Sequence, residues 1–111
     1  DKGVKMSGTS MAAPHMAGVM ALLRQAKPQL SARELKDLVM NQAVVIADED
    51  KKTYSISRQG AGRVQVDAAV KAEWLVSPSA LGLGEQNLSS QKIVQRKVTV
   101  RNLLGATNGA L

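Results

Sequence analysis

The residues best suited to chemistry in this chain form the segment Gly8-Thr9-Ser10-Met11-Ala12-Ala13-Pro14-His15. Ser10 follows a short Gly-Thr loop and precedes a long apolar run, so we predict that its hydroxyl stands at the start of a helix. A serine hydroxyl is a poor nucleophile unless a base takes its proton. The segment therefore predicts nucleophilic chemistry at Ser10 and raises the question of which residue supplies the base.

The one histidine of the chain, His15, is the nearest candidate for that base. At 3.6 residues per helical turn, a separation of five residues turns the side chain by about 140°. We therefore predict that His15 leaves the opposite side of the helix from Ser10 and cannot reach its hydroxyl. We expect His15 to be structural, a buried ring that makes one hydrogen bond.

Other short motifs carry less information. A Gly-x-Ser-x-Gly nucleophile elbow is not matched, because Ala12 stands where the second glycine would be. The run Gly60-Ala61-Gly62-Arg63-Val64-Gln65 resembles half of a dinucleotide fingerprint, but Gln65 replaces its third glycine. Asn87-Leu88-Ser89 is a glycosylation sequon, a pattern that is common by chance. The run at residues 60–65 therefore does not predict a phosphate site, and the other two motifs do not predict a function.

The composition limits the cofactors and partners that this chain can bind. It has no cysteine, and its two aromatic residues are Tyr54 and Trp74. Disulfides and thiolate metal sites are therefore excluded, and base stacking on aromatic rings is poorly supported. We expect no metal site, no cofactor and no nucleic-acid partner.

The net charge of +6 is unevenly distributed along the 111 residues. Residues 1–50 carry six basic and six acidic side chains, whereas residues 51–111 carry nine basic and three acidic ones. Because the basic residues are scattered, we interpret them as a solvated surface. A small basic binding module for an anionic partner remains an alternative.

The first predicted helix is uncharged from Ser7 to Leu23 and apolar on every side, which is typical of a helix buried in a sizeable core. From Met11 to Ala26 it would span about 24 Å, less than the roughly 30 Å of a bilayer core, so we predict no membrane span. Gly18 in its interior predicts the close approach of a neighbouring element. Pro14 falls within about a turn of its start, and Pro28 ends it.

A second helix is predicted from the capping box Ser31-Ala32-Arg33-Glu34 to about Ala43. Its apolar stripe comprises Leu35, Leu38 and Val39, and we expect Arg33, Lys36 and Asp37 to face water. A tight turn at residues 60–62 and a short helix within 64–72 follow. The alternation of Val98 and Val100 with polar residues predicts a strand within residues 92–102.

The segment Gly8-Thr9-Ser10-Met11-Ala12-Ala13-Pro14-His15-Met16-Ala17-Gly18 resembles the nucleophile segment of the subtilisin-like serine proteases (subtilases, peptidase family S8). The sedolisins share Gly-Thr-Ser-x-x-x-Pro, but Met11-Ala12 favours the subtilases. An amphipathic helix and a stretch similar to residues 60–69 follow the nucleophile helix in that family, in the order seen here.

The resemblance implies an α/β fold, the C-terminal part of a three-layer domain with a parallel sheet. Residues 1–75 would be that part of the catalytic domain, residues 76–90 a linker, and residues 91–111 the start of a fibronectin-III-like β domain. We therefore expect the chain to be a fragment of a longer protein. Extracellular or cell-envelope localisation is also implied.

The function implied by the resemblance is that of a serine endopeptidase acting on polypeptides. Ser10 would be the catalytic nucleophile and a backbone donor to the oxyanion. The residues that would support it are Gly8, Thr9, Met11, Ala12, Pro14 and His15. In the family the triad Asp and His and the oxyanion Asn precede the nucleophile, so we expect them before residue 1 and the isolated chain to be inactive. An inactive subtilase-like scaffold remains an alternative, and the oligomeric state stays open.

Overall fold

The computed structural model describes residues 2–87 and 89–105. These residues form a mixed structure in which helices predominate and one small sheet is present. The elements in chain order are α1 (Thr9–Ala26), α2 (Ala32–Asn41), α3 (Ile56–Gln59), α4 (Val66–Lys71), β1 (Trp74–Ser77) and β2 (Thr99–Asn102).

An apolar cluster holds α1, α2, α4 and β1 together. It is formed by the C-terminal half of α1, the loop after it, α2, α4 and β1. Its buried members are Leu23, Leu30, Leu35, Leu38, Val39, Ala69 and Leu75. Each fully buried leucine contributes about 1.5–3 kcal/mol relative to an exposed one, so this cluster is the main source of stability in the described residues.

The first helix is far less covered than its composition predicts. Leu23 is its one buried residue, and Leu22 is 56% exposed. The described residues do not provide the predicted burial, because α2 and α4 pack against one side of α1 only, and burial in a larger core stays a prediction. Apart from its chain neighbours and the backbone of its own helix, no atom of the described residues lies within 4 Å of a Cβ built on Gly18, so the expected close neighbour is not among them either.

In the described part of the chain, no helix combines the length and the apolar character needed to cross a membrane.

The second helix begins as predicted and ends two residues early. Ser31 Oγ accepts a hydrogen bond from the Glu34 N–H at 3.2 Å, and Glu34 Oε2 accepts one from the Ser31 N–H at 2.7 Å. This reciprocal pair confirms the capping box. The predicted exposure of Asp37 is wrong, because this residue is 7% exposed beneath the strand that follows α4.

The sheet consists of two antiparallel strands, with Leu75 opposite Arg101 and Val76 opposite Val100. The strand predicted within residues 92–102 is confirmed in β2, whereas β1 has no counterpart in the predictions. β1 includes the first two residues of the predicted linker. The parallel sheet and the division into domains stay predictions, and residues 106–111 of the proposed β domain lie outside the described residues.

The predicted tight turn at residues 60–62 is confirmed by two glycines with positive φ, 59° at Gly60 and 115° at Gly62. A Cβ on Gly62 would lie 2.2 Å from the Val44 carbonyl oxygen. The two backbones approach because Val44 and Arg63 exchange hydrogen bonds of 2.9 and 2.8 Å. The last helix, α4, then starts at Val66 and buries Ala69 in the core.

Candidate functional site

The N-terminus of α1 is built on Gly8. Gly8 precedes the helix with a φ of 146°, a backbone angle that residues with a Cβ rarely adopt. Its carbonyl oxygen accepts hydrogen bonds from the N–H groups of Met11 and Ala12, both at 3.0 Å. Gly8 thus turns the chain sharply into the helix and places Ser10 second in its first turn.

Ser10 is exposed, and its polar groups are free to act on a ligand. The first four N–H groups of a helix have no intrahelical acceptor. Across residues 2–87 and 89–105, neither the N–H nor the hydroxyl of Ser10 takes part in a hydrogen bond. An α-helix of 18 residues adds a positive potential at this end, which favours negative charge beside Ser10.

Proline at position 14 modifies the same turn. Pro14 is the sixth residue of α1 and lies slightly deeper in the helix than predicted. Because proline has no N–H, the carbonyl of Ser10 does not receive its usual i to i−4 hydrogen bond. The first turn around Ser10 is therefore less constrained than the helix that follows it.

The imidazole of His15 is directed back along the helix. Its Nδ1 lies 2.8 Å from the Met11 carbonyl oxygen, and since a carbonyl only accepts, the ring donates from Nδ1. The predicted structural hydrogen bond is thus present. The predicted burial is wrong for the described residues, because His15 is exposed where α2 and α4 do not reach.

A shallow depression of about 400 Å³ joins these groups at the surface, lined by Ser10, Met11, Pro14 and His15. Ser10 and His15 border the same depression, so the prediction that His15 leaves the opposite side of the helix is wrong. No hydrogen bond links the two residues in the described part of the chain, where the ring of His15 bonds to the Met11 carbonyl instead. Among residues 2–87 and 89–105, neither a carboxylate nor a second imidazole lines it. These residues supply a hydroxyl, an N–H without an acceptor and a helix dipole, but no base for the hydroxyl.

A second polar cluster lies between α2 and β1, on Asp37. Its carboxylate accepts hydrogen bonds from Ser77 Oγ at 2.9 Å, from Ser79 N–H at 3.0 Å and from Ser79 Oγ at 2.6 Å. Burial raises the pKa of Asp37, but these bonds and the charge of Arg33 outweigh it, so the pKa is lowered. The cluster therefore holds an ionised carboxylate that is 7% exposed, at the edge of a cavity of about 720 Å³ between α2 and the strands.

The sequence offers little signal for this cluster. Asp37 lies in an amphipathic helix, flanked by lysine and leucine, as a solvated residue commonly does. Its partners Ser77 and Ser79 follow 40 and 42 positions later. Only the pairing of the strand β1 with the outer face of α2 brings the three residues together.

The chain is similar in sequence to a family of proteases. The family model of the Subtilase family matches residues 2–92. The chain is 46% identical over 77 residues to the minor extracellular protease Vpr of Bacillus subtilis (strain 168), a match that covers 69% of the chain and 10% of that protein. It is 40% identical over 86 residues to the C5a peptidase of Streptococcus pyogenes serotype M18 (strain MGAS8232), covering 69% of the chain and 8% of that protein.

A third match is confined to a shorter region. The chain is 55% identical over 40 residues to the subtilisin-like protease PopC of Myxococcus xanthus (strain DK1622), covering 36% of the chain. The chain thus spans about a tenth of the length of the curated relatives it matches.

Proposed function

The chain belongs to the subtilase family, and on that premise we propose that it carries the nucleophile of a serine endopeptidase, Ser10. The observation that carries the proposal is the position of Ser10 on α1. Its hydroxyl is exposed, and within the described residues its N–H has no acceptor at the positive end of an 18-residue helix. Gly8 and Pro14, which shape this turn, belong to the same motif.

In the proposed reaction the Oγ of Ser10 attacks the carbonyl carbon of a peptide bond. A histidine takes the hydroxyl proton and later passes it to the leaving amine, while water releases the acyl group from Ser10. The N–H of Ser10 and an asparagine side chain would hold the oxyanion. Removing one such donor typically lowers the rate by about 10²–10³-fold.

The histidine of this reaction is not His15. Its Nδ1 is engaged with the Met11 carbonyl, and no hydrogen bond joins its ring to Ser10 in the described residues. We propose that the triad His and Asp and the oxyanion Asn are supplied by sequence outside these 111 residues. The isolated chain is then expected to be inactive.

The uncovered sides of α1 also support the proposal that sequence outside these 111 residues completes the domain. A helix that is apolar all round is stable in water only when other elements cover it. We propose that the parallel sheet of a three-layer subtilase domain covers the sides that α2 and α4 leave open. A polypeptide is the proposed substrate, and an extracellular or cell-envelope location is proposed because one relative is named an extracellular protease.

Peptidase assays on the full protein test this function. Ser10→Ala should lower kcat by about 10⁶-fold, the scale found when the nucleophile of subtilisin, a member of the same family, is removed. The matched control is Ser7→Ala, which changes an exposed serine just before the helix and should leave kcat within about twofold. A protein without peptidase activity would instead support the inactive scaffold.

A further inference from the structure

Three polar side chains form a line along α2 on the side that contacts the two strands. Glu34, Asp37 and Asn41 are separated by three and four residues, so they follow one another on the same side of the helix. We refer to them as the α2 polar stripe. Each of the three contacts the antiparallel pair of strands β1 and β2, or the residues just after β1, which together we call the ribbon.

The side chains of the α2 polar stripe act only as hydrogen-bond acceptors in their contacts with the ribbon. Asn41 Oδ1 accepts a hydrogen bond from the Val76 N–H at 2.8 Å. Asp37 accepts three bonds from Ser77 and Ser79, and Glu34 forms an ion pair with Arg101. In every pair the helix provides the acceptor and the ribbon provides the donor.

The contacts of Asp37 matter most for stability, because this carboxylate is buried. Asp37 is 7% exposed, and a buried carboxylate without partners is strongly unfavourable. Hydrogen bonds to a charged group are stronger than those between neutral groups. The ribbon also places Leu75 in the core, at 2% exposure, so it is attached to α2 by apolar and by polar groups.

The ribbon needs this support, because a two-stranded antiparallel pair is marginally stable by itself in water. The helix that supports it is in turn fixed to α1. Leu23 of α1 packs in the same cluster as Leu35 and Leu38 of α2. Arg24 Nη1 also donates to the Leu30 carbonyl oxygen at 2.6 Å, at the turn between the two helices.

We propose that the α2 polar stripe is an intramolecular docking face for the ribbon, and that it fixes the chain up to Ser79, together with β2, relative to the helix that carries Ser10. Its partner is a strand pair that presents backbone N–H groups, serine hydroxyls and a guanidinium, all of them donors. The segment predicted as a linker from residue 76 thus begins as an anchored part of the domain. This coupling does not depend on the chemistry of Ser10.

Hydrogen exchange followed by mass spectrometry on the full protein tests the proposal. In Asp37→Ala the amides of Val76, Ser79 and residues 99–102 should exchange about tenfold faster or more, while those of residues 20–23 in α1 keep their rates. Asp67→Ala is the matched control. It removes an exposed aspartate whose partner is Lys71 on its own helix, so it should leave the ribbon unchanged.

Unchanged exchange of the ribbon in Asp37→Ala would overturn the proposal. If α1 exchanges faster as well, the variant has lost its fold, and Ser79→Ala, which removes one hydroxyl on the ribbon side, decides. Faster exchange restricted to the ribbon in Ser79→Ala supports docking on the stripe. No change there, or an equal change in α1, overturns it.

Discussion

Asp37, in the middle of α2, accepts hydrogen bonds from both the N–H and the hydroxyl of Ser79, a residue 42 positions further along the chain. The pair joins α2 to the residues after β1, and α2 and β1 also share the apolar cluster through Leu38 and Leu75. It links the stability of the described residues to one ionised carboxylate, and so to pH.

The first prediction concerns acid stability. The pKa of Asp37 is lowered in the folded state, so its contribution is fully present above its unfolded pKa of about 3.9 and is lost as the pH falls through the folded value. In Asp37→Asn the free energy of unfolding should therefore fall less steeply below about pH 4. Denaturant unfolding of the full protein between pH 2 and pH 7 measures this.

The carboxyl of Glu34 acts in the same direction, because hydrogen bonds from Ser31 lower its pKa as well. Asp37→Asn should thus reduce the acid dependence without abolishing it. Asp67→Asn serves as the control, since its carboxylate is exposed and pairs within α4. Equal acid dependence in the parent and in Asp37→Asn would contradict the assigned role.

The second prediction compares two serines that precede helices. Ser31 caps α2 through its hydroxyl, whereas Ser55 precedes α3 without a side-chain capping bond. Ser31→Ala should lower the free energy of unfolding by about 1 kcal/mol, and Ser55→Ala should change it little. Chemical denaturation of both variants checks this, and equal losses would show that the capping box does not stabilise the protein.

The third prediction concerns the turn before α4. Gly62→Ala combines a positive φ with a clash against the Val44 carbonyl, so we expect a loss of about 2 kcal/mol or more. Gly60→Ala, in the same turn, meets no atom within 4 Å and carries the cost of its backbone conformation alone. Gly62→Ala should therefore lower the melting temperature more than Gly60→Ala does, and equal melting temperatures would contradict the close approach.

Sequence patterns were sufficient wherever the determinants are local. The capping box at Ser31 and Glu34, the glycine turn and the strand over Thr99–Asn102 each depend on a few neighbouring residues. Such features follow from hydrogen bonds and dihedral preferences within one turn or strand. For that reason their positions agree with the structure to within a few residues.

The features that were not predicted depend on contacts across the chain. Asp37 faces water in a helical projection of α2 alone, and it becomes buried only because β1 crosses that face. His15 and Leu22 are exposed because no described element covers their side of α1. An apolar pattern predicts burial but does not identify the partner that provides it.

The fourth prediction uses Gly18 to ask whether a partner covers α1. Within the described residues a Cβ at this position has open space, so helix propensity alone would make Gly18→Ala stabilising by about 1 kcal/mol. If a further element packs there in the full protein, as we propose, the variant should instead be destabilised by about 1–3 kcal/mol. Thermal unfolding of the full protein decides between the two signs.

The central claim is that Ser10 is an activated nucleophile, and covalent labelling with a fluorophosphonate probe tests it most directly. Peptide mapping by mass spectrometry should place the adduct on Ser10 in the full protein, with no labelling of Ser10→Ala, normal labelling of Ser7→Ala and none of the isolated 111 residues. An adduct on another residue, or labelling that persists in Ser10→Ala, would contradict the account.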